Sequence, residues 1–370
     1  MEPVLFIFKD KPWYIRHIQI KFIKFYKVEY FFLSQNLNLS RNQIIKLINK
    51  NIKKRNIKKT FFDLDYSSFI DTNFISNIES KKKIGVSFDT EENLEKIEKT
   101  LPAFTHFLSA EPKYAKAFNS KKKSIFFPLE TSEKIFHKIK IKKKYDVIFF
   151  GEAKGDRVSY LNKVKQLKIK KKLIINSSNK NNNFELNKLI NQSKIVLNFS
   201  KGISKYSKKN FDQFKGRVLI SGLAGTFCLS EYYKSSGYIF KKAFPYFTNS
   251  TNLVKTILEL LKNKKKLNQV TKLFTKSCNF YSDKNYFKKI KKFLDEDNKF
   301  LKLELNFHEI LNIIKISSKK NNVKVYIRNN FEILTELIKS KKLLNLPVFI
   351  STILIGLIYF ILSIKRNIKL

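Results

Sequence analysis

Along most of the chain, short apolar runs alternate with segments whose apolar residues recur at helical spacing. Residues 3–9 read as a first strand, and 27–33 form a second apolar run. A helix is predicted at 40–54, where Ser40 is placed to cap it and Ile44, Ile45, Leu47, Ile48 and Ile52 gather on one face. Strands follow at 60–64, 83–88, 104–109 and 124–128, with helices at 67–78, 91–101 and 112–118 between them. Repeated strand–helix–strand is the pattern of a parallel sheet covered by helices. After a basic stretch the alternation restarts, with strands at 146–150, 172–176, 195–200 and 226–230. Helices are predicted at 157–167, 184–192, from 214 to 223, at 252–263, onward to about 274, and at 281–294. The expected fold class is α/β, with two doubly wound, Rossmann-like domains at 1–133 and 145–298 and a linker at 134–144. Open α/β sheets take ligands beyond their strand carboxyl ends, so the two halves are expected to face a shared cleft.

The rest of the chain differs. Residues 299–342 read as a helical extension with a short strand at 323–327. From 343 to 364 there is no charged residue, and 346–364 at about 1.5 Å per residue spans close to the hydrocarbon core of a bilayer. A single C-terminal transmembrane helix is expected there. Basic residues flank both its sides, so they do not set its orientation. Residues 1–8 are apolar but too short for a secretory signal and carry Glu2. The expected arrangement is therefore a cytoplasmic body on a single-pass membrane anchor.

Composition narrows the class. In 370 residues, 43% hydrophobic content with only 9 Gly and 7 Pro excludes wholesale disorder and fibrous repeats. Two cysteines, Cys228 and Cys278, exclude a disulfide scaffold, and four scattered histidines leave no zinc spacing. The formal charge of +45 implies an anionic partner. The lysines lie in short runs along the whole length, which fits a tolerant surface better than a dedicated nucleic-acid tail. The basic–aromatic alternation of residues 19–30, QIKFIKFYKVEY, reads more simply as an edge strand or amphipathic surface. No specific nucleic-acid partner is expected; anionic membrane lipid next to the anchor is.

No Gly-x-Gly-x-x-Gly, Walker loop, His-Glu-x-x-His or Gly-x-Ser-x-Gly occurs. Asp63-Leu64-Asp65 follows a strand and has the carboxylates to hold Mg²⁺, but aspartates at a strand end also serve as helix caps. Cys228 falls in a buried strand and reads as core. The richest stretch is 212–231, DQFKGRVLISGLAGTFCLSE. Its Lys215 and Arg217 can grip phosphate oxygens, and glycines beside a helix start let backbone N–H groups approach an anion. The strand before it ends in Asn198-Phe199-Ser200-Lys201-Gly202, a second polar loop on the same sheet.

This stretch resembles the CgeB/YkvP spore-protein-like glycosyltransferases of the GT-B superfamily. The resemblance is carried by Asp212, Gln213, Lys215, Gly216 and Arg217, then Gly225, Phe227, Leu229, Ser230, Glu231 and Tyr232. YDVIFFGEAKGDRVSYL (145–161) is similar to the opening of the family's second domain, with Gly151, Gly155, Asp156 and Arg157 in register. IVLNFSKG (195–202), FTHFLSAEPKYAKAF (104–118) followed by FFPLE (126–130), and SFDTEEN (87–93) resemble further landmarks. The resemblance implies a GT-B fold and transfer of a sugar from a nucleotide-sugar to a cell-envelope or lipid-linked glycan. It implies a donor site at Lys215, Arg217, Asp212, Gly222, Gly225, Gly151 and Arg157, with no metal and no bound cofactor, because basic groups and helix dipoles stabilise the departing diphosphate. In the first domain Asp89 is the best-placed general base for the acceptor. One position departs: where the family holds the donor ribose with Glu, this chain has Ile220. Losing such a charge-assisted bond costs about 1.5–3 kcal/mol. A non-catalytic binding or scaffold protein on the same frame is the alternative.

Overall fold

The computed structural model describes residues 1–296 apart from 13, 66–68, 120–122, 176–182, 204–209 and 241–243. The extension at 299–342 and the apolar segment at 343–364 lie outside the described residues. Among the described residues, no helix is long and apolar enough to cross a membrane.

The first half runs β1 (Glu2–Phe8), α1 (Ile15–Phe22), β2 (Tyr26–Phe32), α2 (Arg41–Arg55), β3 (Lys59–Asp63), α3 (Thr72–Ser76), β4 (Lys82–Ser87), α4 (Leu94–Thr100), β5 (His106–Ser109), α5 (Pro112–Phe118) and β6 (Lys123–Phe126). Its sheet has the order β2-β1-β3-β4-β5-β6 and every neighbouring pair is parallel. Helices cover both faces, so alternate residues of one strand enter different cores. Val4, Phe6 and Phe8 enter a core continuous with the second half, while Leu5 and Ile7 enter a core shared with Ile44 and Ile48 of α2. Phe6 stacks on Phe61 with ring centroids 4.3 Å apart. Ser40 and Gln43 form a reciprocal capping box at the start of α2.

The basic–aromatic alternation of residues 19–30 resolves into the end of α1, a turn, and β2 at the sheet edge. Its Lys21 is buried at 3% exposure. The helix expected at 67–78 is only α3, because the Asp71 carboxylate caps the N–H of Phe74 at 2.9 Å and starts the helix there.

The second half comprises β7 (Tyr145–Gly151), α6 (Arg157–Gln166), β8 (Lys171–Ile175), α7 (Asn183–Asn191), β9 (Ser193–Asn198), β10 (Lys201–Ile203), β11 (Asn210–Asp212), α8 (Gly216–Leu223), β12 (Phe227–Glu231), β13 (Tyr246–Phe247), α9 (Ser250–Lys262), α10 (Lys264–Asn279) and α11 (Asp283–Asp295). Its parallel sheet has the order β13-β12-β9-β7-β8, and β10 and β11 form a separate antiparallel hairpin. The connecting stretch is anchored along α7. The side chains of Asn187 and Asn191 accept from the backbone N–H groups of His137 and Ile139 at 3.2 and 2.7 Å.

The final helix crosses back. Phe287 of α11 packs against Phe22 and Phe25 at 5.0 and 5.3 Å, and Lys59 pairs with Asp295 at 2.9 Å. The Lys82 ammonium donates to the carbonyls of Leu294, Asp295 and Glu296 at 2.9, 2.7 and 3.0 Å, satisfying a helix end from the first sheet. By sequence position α11 belongs to the second half; by packing it closes the first.

At the start of α11 the Lys21 ammonium pairs with the Asp283 carboxylate and donates to the Thr131 hydroxyl at 2.8 Å. Both side chains of the pair are at most 5% exposed. Removing one partner of a buried pair leaves an uncompensated charge and typically costs about 3–5 kcal/mol, whereas replacing both can be neutral. Urea unfolding of Lys21→Met should show a loss of that size, and Lys21→Met with Asp283→Leu should recover most of it. Losses under about 1 kcal/mol in the single variant would rule the pair out as a strut between α1 and α11.

Candidate functional site

The strand carboxyl ends of the two sheets converge on a cleft of about 780 Å³. Tyr14, Phe88, Asp89, Ala110 and Glu130 line it from the first half, and Gly151 and residues 213–217 from the second. Three features place the charged groups.

The first is the start of α8. Val218, Leu219, Ile220 and Leu223 are buried, which fixes the helix against its sheet. Lys215 is extended before it, with no side-chain cap, and the Val218 N–H turns back to the Lys215 carbonyl at 3.0 Å, which leaves the N–H groups of Gly216 and Arg217 at the positive end of the dipole. Gly225, with φ of 74°, ends the helix in a Schellman motif: its N–H donates to Gly222 and that of Thr226 to Ser221, both at 2.9 Å.

The second is Arg217. Its guanidinium lies 5.1 Å from the ring centroids of both Phe149 and Phe150 at the end of β7. Gly151 follows with φ of 130°, and a Cβ there would overlap the Arg217 Nη2 atom. The absent side chain is what admits the guanidinium. Its Nε and Nη1 are buried without a hydrogen-bond partner, and among the described residues it forms no ion pair. Burial lowers its pKa to about 10.

The third is a set of carboxylates in the first half. Asp65 accepts from the Ser87 hydroxyl (2.8 Å), the N–H groups of Phe88 (2.6 Å) and Asp89 (3.2 Å), and the Asn93 amide (3.1 Å). It thereby shapes the turn that carries Asp89 into the cleft. Asp63 accepts from the Tyr14 hydroxyl at 2.6 Å. Burial pushes Asp63 up to about 7; burial, with Asp63 and Asp89 nearby, raises Asp65 well above its ordinary value. Both carboxylates are thus spent on structure, and among the described residues no cluster of three His, Cys, Asp or Glu side chains is arranged to hold a metal.

Gln213 joins the two sides: its Nε2 donates to Asp89 Oδ1 at 2.8 Å and its Oε1 accepts from the Lys215 ammonium. Burial lowers the pKa of Lys215 to about 8, with Asp89 opposing that shift and Arg157 and Arg217 adding to it. Glu111, buried at 1% exposure, accepts from the Phe214 N–H at 2.8 Å and from the Tyr233 hydroxyl.

The structure therefore brings Asp89, Lys215, Arg217 and Gly151 together. Ile220 also lines the cleft. Four other expected donor residues lie elsewhere. Arg157 donates to the carbonyls of Glu152 and Lys201 at 3.2 and 2.6 Å, tying the residue after β7 to the start of β10. Asp212 is exposed on β11. A Cβ on Gly222 would overlap Cys278 Sγ, so that glycine serves the contact of α8 with α10. Gly225 lies at the end of α8 remote from Arg217. Glu111, Glu130, Tyr14 and His17 are not among the expected site residues; Glu111 and Glu130 lie inside the stretches 104–118 and 126–130 that carry the resemblance, whereas Tyr14 and His17 stand in no such motif. His17 Nε2 lies 3.9 Å from Glu130 Oε1, and its pKa is lowered to about 4 by burial and by Lys21.

A family model described as glycosyl transferase-like matches residues 132–276. The structure is similar to that of a glycosyltransferase from Rickettsia africae (TM-score 0.54, 10% identity, 80% of this chain and 99% of that one). It is also similar to AviGT4, a glycosyltransferase involved in avilamycin A biosynthesis (TM-score 0.50, 6% identity, 80% and 97%). The fold is of the GT-B kind. At such identities the likeness extends to the fold alone. No curated protein matches the sequence.

Two outcomes follow from this geometry. Gly151→Ala should leave the protein folded but weaken pyrophosphate binding about tenfold or more by calorimetry, since the guanidinium must leave its place. Below about pH 8 Lys215 carries its proton, and above it the free protein loses that cation. Pyrophosphate affinity should therefore fall as pH rises through 8, and Lys215→Met should flatten that dependence.

Proposed function

We propose that the chain is a glycosyltransferase that moves a sugar from a nucleotide-sugar to a cell-envelope or lipid-linked glycan. The observation that carries this reading is Arg217, an unpaired guanidinium held beside a helix start in the cleft. Such a group is built to receive an anion. The family match over the second half and the GT-B fold support the same reading.

In this reaction the donor diphosphate rests on Arg217 and Lys215 at the first turn of α8. The acceptor hydroxyl enters from the first half, where Asp89 takes its proton as the oxygen bonds to the sugar carbon. The bond from that carbon to the diphosphate breaks, and its electrons pass to phosphate oxygens stabilised by the two cations. The reading assigns the stabilising charge to side chains, with no metal. It also places the body on the cytoplasmic face of an anionic membrane, anchored by residues 343–364.

A second reading, a non-catalytic binding or scaffold protein on this frame, is favoured by Ile220, an apolar side chain lining the cleft where the resembling family has Glu.

The test is thermal unfolding of the full chain at about 150 mM salt, which screens loose anion binding. UDP, GDP, TDP, CMP, their sugar conjugates and pyrophosphate are compared. Ligand at about 100 times its dissociation constant should add about 2.7 kcal/mol. The expected result is a shift with one nucleotide family, larger than with pyrophosphate, and lost in Arg217→Ala. Asp89→Asn should retain that shift while losing about 10²–10⁴ in turnover with the sugar conjugate. Nucleotide binding with no turnover or hydrolysis in the unaltered chain would favour the scaffold reading.

A further inference from the structure

The cleft holds a carboxyl and a guanidinium that feel each other's charge and yet, among the described residues, form no ion pair. Glu130 lies on the segment leaving β6, and its Oε2 is 2.5 Å from where a Cβ on Gly216 would stand, so the carboxylate rests against the first turn of α8. Arg217 is the next residue after Gly216. Yet among the described residues no ion pair joins the guanidinium to this carboxylate, and no hydrogen bond is donated to Glu130. His17 Nε2 lies 3.9 Å from its Oε1, and burial and Lys21 lower the imidazole's pKa to about 4. Burial raises the Glu130 carboxyl above its ordinary pKa, and the charges of Arg217 and Lys21 oppose that rise and favour the ionised form.

An ionised carboxylate only accepts hydrogen bonds. A ligand that fills the space beside Glu130 must bring donors, and the fully ionised diphosphate bridge of a nucleotide-sugar brings none of its own. A ligand that also fills the space beside Arg217 must bring an anion. The helix itself supplies no acceptor one turn on, because Ile220 faces the cleft there.

The geometry points to Glu130 as the acceptor of hydrogen bonds from sugar-ring hydroxyls of a ligand whose phosphate rests on Arg217. The inference rests on the nucleotide-sugar reading and sharpens it. The ligand is a ribonucleotide or its sugar conjugate rather than a bare anion, and a residue from outside the second half's own motif reads its hydroxyls.

The test is titration calorimetry on the full chain, its Glu130→Gln and its Arg217→Ala variants. UDP, GDP, ADP and CDP are compared with their 2′,3′-dideoxy counterparts, with UDP- and GDP-sugars, and with pyrophosphate. Glu130→Gln keeps the side-chain shape, and its pyrophosphate binding and thermal midpoint report that it is folded. The expected result is about tenfold weaker binding of the preferred ribonucleotide or conjugate in Glu130→Gln, with pyrophosphate binding no weaker. A loss seen with the ribonucleotide and absent with its dideoxy form assigns the hydroxyls to the ribose. A loss confined to the conjugate assigns them to the transferred sugar. Equal or tighter binding of every ligand in Glu130→Gln would overturn the inference alone, since the carboxylate then only repels anions. Failure of every nucleotide to bind through Arg217 would overturn the donor-site reading, and this inference with it.

Discussion

The site depends on a contact between its two halves. Glu111, fully buried in the first half, accepts from the backbone of Phe214 and from the Tyr233 hydroxyl of the second. Asp89 is joined in the same way to Gln213. Together these two carboxylates fix residues 213–215, the segment that leads into α8. A hydrogen bond to a charged group contributes more than a neutral one, and far more is lost if a buried partner is left alone. The direction of α8, and so the place where its first N–H groups and Arg217 meet the cleft, is set by the opposite half of the molecule.

That dependence explains how the first half spends its acidic residues. In Asp63-Leu64-Asp65 both carboxylates are buried against hydroxyl and N–H donors. A buried carboxylate is tolerated where it is hydrogen-bonded, and Asp65 has four donors around it. It acts through the turn it shapes, by placing Asp89, rather than by facing the cleft. The α11 helix serves the same end from the other side, because Lys82 and the Lys21–Asp283 pair tie the tail of the second half to the first sheet.

The alternation of strands and helices was legible because parallel strands are covered on both faces and read as plain apolar runs. The helix α1 was not, since its eight residues bury His17 and Lys21, whose partners are remote in sequence. Arg217, Lys215, Gly151 and Asp89 could be found from local motifs. Gly222 and Gly225 show the limit of such motifs. A glycine answers to a close neighbour or to a positive φ, and only the packing of Cys278 against Gly222 and the Schellman turn at Gly225 tell which. Glu111 and Glu130 lie in stretches that resemble the family, but the sequence does not say what they hold, for their partners are reached only where the two halves meet.

The charge of +45 and the cleft do different work. Surface lysines are flexible and hydrated, so they raise the concentration of any polyanion near the protein and select little among them. Arg217 is held between two aromatic rings and a glycine, with its orientation settled before a ligand arrives. Less ordering is then lost on binding, and the geometry discriminates as well as attracts. Neutralising surface lysines should therefore change how fast anions arrive, whereas moving the guanidinium should change how long one stays. On the proposed donor-site reading, affinity in this cleft would rest on the packing around one cation and not on the number of cations outside it.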